Sequence, residues 1–231
     1  MTEANELTKK ERILLLAYFP VHLVVLPLLM GLLYKRGVMN ESLANFWIYV
    51  AGALYMFLAL GRFLRREFDP FCDNILRCAL QIGGSYLAVL AFNSLFAVLV
   101  MLITGEVTVG NPNNETIIDL AEESPGAIRA MGIFLAPVVE ELLFRAGLFG
   151  TIRKKSRALA YIVSILAFSV YHVWTYIVTE PRNAVYLIQY VPVSWLLARC
   201  YEKSRTIWTP IFLHMLINAV SMAAMEGLKS L

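Results

Sequence analysis

The sequence predicts an all-α fold, a polytopic membrane helical bundle of seven transmembrane helices with room for an eighth short or re-entrant segment. Three observations lead there. The 231 residues are 59% hydrophobic, with a mean hydropathy of +0.65 and 16% charged residues, which is more apolar surface than one soluble core can hide. The apolar residues come in blocks of about 20, the length that crosses about 30 Å of hydrocarbon. No series of short alternating strands, the mark of a transmembrane barrel, runs through them.

The first block, Ile13 to Tyr34, follows Lys9, Lys10 and Arg12 and superficially resembles a secretory signal. It is too long for a signal core and has no small-residue cleavage site, so it is read as a retained span. The others run over 46–62, 77–104, 125–148, 158–178, 184–200 and 207–227. The third contains Gly83-Gly84-Ser85, where it could break and give the eighth segment. Residues 1–124 are expected to form N-terminal spans and an acidic extracytoplasmic loop from Gly105 to Ser124, and 125–231 a second unit.

Lys and Arg alternate along the loops. Fourteen fall at the N-terminus, in 62–77, in 153–157 and in 199–205, and four in the intervening loops. The positive-inside rule therefore puts the N-terminus in the cytoplasm and, with seven spans, the C-terminus outside. The net charge of +3 is dispersed over short loops, so no nucleic-acid partner is expected. Cys72, Cys78 and Cys200 form no CxxC pair and read as small apolar residues near helix ends.

Two basic residues lie inside a span. Arg129 stands near the Ser124-Pro125 start and can snorkel to the interface. Arg145 ends the run Pro137-Val138-Val139-Glu140-Glu141-Leu142-Leu143-Phe144-Arg145, where each charge costs about 2.5–3.5 kcal/mol in a bilayer centre. Glu141 and Arg145 are four apart on one face and can pair, whereas Glu140 points about 100° away. A solvated helix end would explain the cluster equally well on this segment alone. Two other spans decide against that: one carries Phe168-Ser169-Val170-Tyr171-His172, the other His214-Met215-Leu216-Ile217-Asn218. His22, alone in the first span, reads as a packing residue.

Depth agrees with convergence. At 1.5 Å per residue, Glu140 is about 12 Å, His214 about 10 Å and His172 about 21 Å from the cytoplasmic ends of their spans. A cavity opening to the cytoplasm is expected.

Glu-Glu-x-x-x-Arg, Phe-x-x-x-His and His-x-x-x-Asn, in this order on separate spans, resemble the CPBP family of CAAX proteases and bacteriocin-processing enzymes, also called Abi proteins. The resemblance covers the chain from Pro125 onward; Ala146 stands where the family often has glycine. It implies an intramembrane endopeptidase acting on membrane-associated peptides or proteins. It makes Glu140 the catalytic carboxylate, with Glu141 and Arg145 orienting and charge-balancing it and His172, His214 and Asn218 in the remaining roles. No His-Glu-x-x-His helix, Gly-x-Ser-Gly site or pair of membrane aspartates offers another protease reading.

Two chemistries fit these residues. In one, Glu140, His172 and His214 hold a zinc ion that activates water. In the other, Glu140 deprotonates water with help from His172 and no metal. In both, His214 and Asn218 are the expected donors to an oxyanion. Pro137, one turn before Glu140, removes a helix hydrogen bond. A proton- or metal-conducting transporter would use the same polar residues, although no inverted repeat is visible, and a non-catalytic immunity or scaffold protein could retain the motifs.

Overall fold

The computed structural model describes residues 6–104 and 111–229. Among these residues every regular element is a helix. The seven expected spans appear as α1 (Lys9–Lys35), α2 (Glu41–Asp73), α3 (Ile75–Thr104), α5 (125–153), α6 (Arg157–Thr179), α7 (Leu187–Ser204) and α8 (Trp208–Lys229). A 3-10 turn, Pro181–Tyr186, leads into α7. By length and composition α1, α2, α3, α6 and α8 qualify as membrane spans. The other two carry several charges within the stretch that would cross: Arg129, Glu140, Glu141 and Arg145 on α5, and Arg199, Glu202 and Lys203 on α7.

Two expectations need correction. α3 runs through Gly83 and Gly84 without a break, so no eighth segment arises there. The acidic stretch read as a loop contains a helix, α4 (Pro112–Glu123), while residues 105–110 lie outside the described residues. The local sequence explains α4. Asn111 caps it by accepting from the Asn113 amide at 2.9 Å, Pro112 occupies its first turn, and Ile117, Leu120 and Ala121 pack with Ile128, Met131 and Met222.

Caps fix the helix ends elsewhere. Thr8 and Glu11 form a reciprocal capping box at the start of α1. The other end of α1 closes with the amides of Gly37 and Val38 donating to the carbonyls of Tyr34 and Leu33. That closure needs the left-handed φ of 69° that Gly37 supplies.

The loop alternation read from the sequence has a spatial counterpart. At one end of the bundle Arg66 pairs with Glu11, Lys154 with Glu6, and Arg153 and Arg157 both with Glu202, while Arg77 donates to the Lys203 carbonyl. This is the basic end. At the other end Ser42 donates to Glu123, Asn40 to Ser124, and Arg129 pairs with Glu226.

α5 is the axis of the molecule. Residues 136–147 form an unbroken buried run, whereas Leu76, Leu80 and Leu87 of α3 are about 70% exposed on the outside, where lipid would cover them. α5 is packed by α1, α2, α6, α7 and α8, through a core that includes Leu15, Met56, Phe63, Leu142, Phe149 and Ile211. Such close approach requires small residues. A Cβ on Gly147 would stand 3.0 Å from Leu15 Cδ2 and 3.3 Å from the Leu142 carbonyl oxygen, which as backbone cannot swing away. Gly147→Ala is therefore expected to cost about 1–3 kcal/mol and to lower the thermal unfolding temperature in detergent. An unchanged midpoint would show that α1 can yield.

Candidate active site

The ladder of α5 is altered on both sides of the site. It widens to π-helical turns at Met131–Leu135 and Leu142–Phe149, flanking the α-helical Ala136–Glu141. Pro137 explains part of this. In the first π segment the Ala136 amide donates to the carbonyl of Met131, five residues back. The same register would pair the Gly132 carbonyl with residue 137, and proline has no N–H to give. Asn218 Nδ2 takes that place, donating to the Gly132 carbonyl at 2.8 Å. Asn218 thus lines the cavity beside Glu140, with one amide hydrogen committed to the backbone.

Five of the six residues singled out from the sequence, Glu140, Glu141, Arg145, His172 and His214, contact one another, and Asn218 lines the same cavity. Glu141 and Arg145 are fully buried, and Glu140 is 3% exposed. Arg145 Nη1 lies 3.1 Å from Glu141 Oε1, and Nη2 donates to the carbonyl and hydroxyl oxygens of Ser194 at 3.2 and 3.1 Å. The guanidinium also stands 4.3 Å from the Phe168 ring centre, a cation–π contact.

The hydrogen bonds assign the imidazoles. Backbone carbonyls and carboxylates only accept, so His172 Nδ1 donates to the Phe168 carbonyl at 2.9 Å, and His214 Nδ1 to Glu141 Oε1 at 2.9 Å. The Nε2 atom of each ring then faces Glu140. Glu140 Oε2 lies 3.6 Å from His172 Nε2 and 3.9 Å from His214 Nε2, and it is buried without a hydrogen-bond partner.

The other oxygen of Glu140 ends a chain that sequence reasoning missed. Tyr49 donates to Glu140 Oε1 at 2.9 Å, which leaves the 2.7 Å contact between Tyr49 and Tyr171 to be donated by Tyr171. His22 Nε2, 3.4 Å from the Tyr171 hydroxyl, must then be the donor there, and its Nδ1 is buried without a partner. Every hydrogen along His22, Tyr171 and Tyr49 points toward the carboxylate. His22 is part of the site and not only of the packing.

A cavity of about 310 Å³ starts at Glu140, His172 and His214. The depth estimate directed it to the side of the basic loops. In the structure it runs the opposite way, past Gly132, Asn218 and Ser221 to Asn111, Asn113 and Met225. α5 continues to Arg153, which puts Glu140 about 20 Å from that end and near the middle of its helix.

Glu140, His172 and His214 are donors of the kind zinc accepts. Among the described residues, however, no group of three or more His, Cys, Asp or Glu has the spacing to hold a metal ion.

Fold and site together define a multi-pass helical membrane protein with a buried centre of two carboxylates, a guanidinium and two imidazoles beneath a cavity. Residues 124–220 match the family described as type II CAAX prenyl endopeptidase Rce1-like, and the resemblance drawn from the sequence holds. Two curated relatives are each similar over about half of the chain. One is "Putative membrane peptidase YdiL" of Bacillus subtilis, 27% identical over 107 residues, 46% of this chain and 40% of the relative. The other is "UPF0177 protein YvdC" of Lactococcus lactis, 26% identical over 117 residues, 51% of this chain and 42% of the relative. The chain thus aligns with about two-fifths of the length of each. No solved structure matches.

Proposed function

We propose that the chain is an intramembrane endopeptidase in which Glu140 activates water against a peptide bond of a membrane-associated substrate. One observation carries this reading: Glu140 Oε2, without a hydrogen-bond partner, faces the Nε2 atoms of two imidazoles at the foot of a cavity. A water placed there gives one hydrogen to Glu140 and the other to His172, which leaves an oxygen lone pair directed at the substrate carbonyl. Proton transfer from Glu140 to His214 Nε2 makes that nitrogen a donor for the developing oxyanion, and the free hydrogen of the Asn218 amide adds a second. Glu141 holds His214 in the required tautomer, and Arg145 balances the added charge. The match to an endopeptidase family over residues 124–220 supports the same reaction class.

The test is direct. Purified chain in lipid vesicles is mixed with membrane-anchored peptides, and products are identified by mass spectrometry. Cut peptides with free new termini are expected; intact peptides across a broad panel would sink the proposal. Tyr49→Phe should reduce kcat/KM roughly ten- to hundredfold, since it removes a hydrogen bond to a charged group worth about 1.5–3 kcal/mol. Unchanged kinetics would remove the tyrosine chain from the mechanism.

A further inference from the structure

The direction of the cavity bears on what can reach Glu140. No residue of the basic loops lines the cavity, and on α6 the lining starts only at Phe168, beyond the turns nearest the basic end. The walls instead rise along α8 from His214 to Met225, about 16 Å, and end against Asn111 and Asn113 beside α4. The same bundle gathers 14 of the 20 Lys and Arg residues at its other end, where the salt bridges of Arg66, Lys154, Arg153 and Arg157 join the loops into one basic face. Such a face remains in the cytoplasm.

We infer that the substrate enters from the extracytoplasmic face, as an uncharged extended peptide segment. This rests on the reading of Glu140 as the catalytic carboxylate. The lining of the mouth specifies the rest. Asn111 is buried and spends its amide on Gln189, Tyr190 and the Asn113 N–H, tying together a polar rim whose remaining amide groups suit a peptide backbone, while Met222 and Met225 provide adaptable apolar walls. Among the described residues Glu140 is the one carboxylate on the lining and no Lys or Arg belongs to it, so none of them is a counter-ion for a charged side chain or a free C-terminal carboxylate. A volume of about 310 Å³ lies at the small end for ligand sites and suits a short stretch of chain. Segments of secreted or membrane-anchored proteins just outside the bilayer have this chemistry. A prenylated C-terminus in the cytoplasm arrives at the wrong face and brings a carboxylate.

Cysteine labelling tests the direction without reference to cleavage. The native Cys72, exposed near the end of α2, marks the basic end, while Cys78 and Cys200 are buried. Intact cells producing the wild type are treated with a membrane-impermeant maleimide, in parallel with Asn113→Cys and Ser221→Cys variants in a Cys72→Ser background. Both mouth variants should be labelled in intact cells, and Cys72 only after permeabilisation. Two positions guard against one variant misfolding. Cys72 labelled in intact cells, with the mouth cysteines silent until permeabilisation, overturns the inference. Because labelling needs no turnover, a chain that cleaves nothing but is labelled as expected would refute the protease reading and leave the outward mouth standing.

Discussion

Glu140→Gln is expected to lower kcat/KM by about 10²- to 10⁴-fold, the contribution of a positioned general base, while the chain still folds. Glutamine keeps the shape of glutamate, and its amide oxygen can still accept from Tyr49. What it lacks is the proton affinity of Oε2, the atom facing His172 and His214. The measurement pairs peptide cleavage with thermal unfolding of both proteins. Equal cleavage by wild type and variant would end the assignment of Glu140 as base. Loss of ion flux in the variant, with no cleavage by either protein, would favour a conduction pathway through the same residues.

Glu141→Ala should have the largest effect on stability. It leaves the Arg145 guanidinium, which has no exposed surface, without its carboxylate, and takes the acceptor from His214 Nδ1 as well. Removing one partner of a buried pair costs about 3–5 kcal/mol, which for a chain of this size lowers the unfolding midpoint by roughly 10 °C. The double variant Glu141→Ala, Arg145→Met removes both charges and should recover much of that loss. A double variant no more stable than Glu141→Ala would show that the lost His214 contact, not the unpaired cation, is responsible.

The six residues named from the sequence were visible because charge and imidazole are costly in hydrocarbon, and their spacing put them on separate helices that could meet. Tyr49, Tyr171 and Ser194 gave no such signal. Tyrosine and serine are common in membrane helices and carry little penalty there, so only three-dimensional placement separates these from the chain's other tyrosines and serines. His22 was visible as a residue but not as a partner, because its two neighbours in the chain of hydrogen bonds come from α2 and α6. The bundle itself was legible from the length of the apolar blocks. α4 was not, since its acidic character outweighed the Asn111-Pro112 start that marks a helix. The direction of the cavity depended on how far α5 continues past the apolar run, and apolar length does not register the last turns to Arg153.

The donor chain from His22 through Tyr171 and Tyr49 to Glu140 crosses the division drawn at residue 124. The segment that matches the family model, 124–220, holds the carboxylate, yet its orientation depends on a histidine and a tyrosine contributed by α1 and α2. A fragment beginning at Pro125 would retain every motif residue and lose the groups that aim Glu140. Inheritance of the motifs alone is then an incomplete guide to activity: a relative with Glu140, His172 and His214 but an unrelated first helix has to anchor its carboxylate by other means.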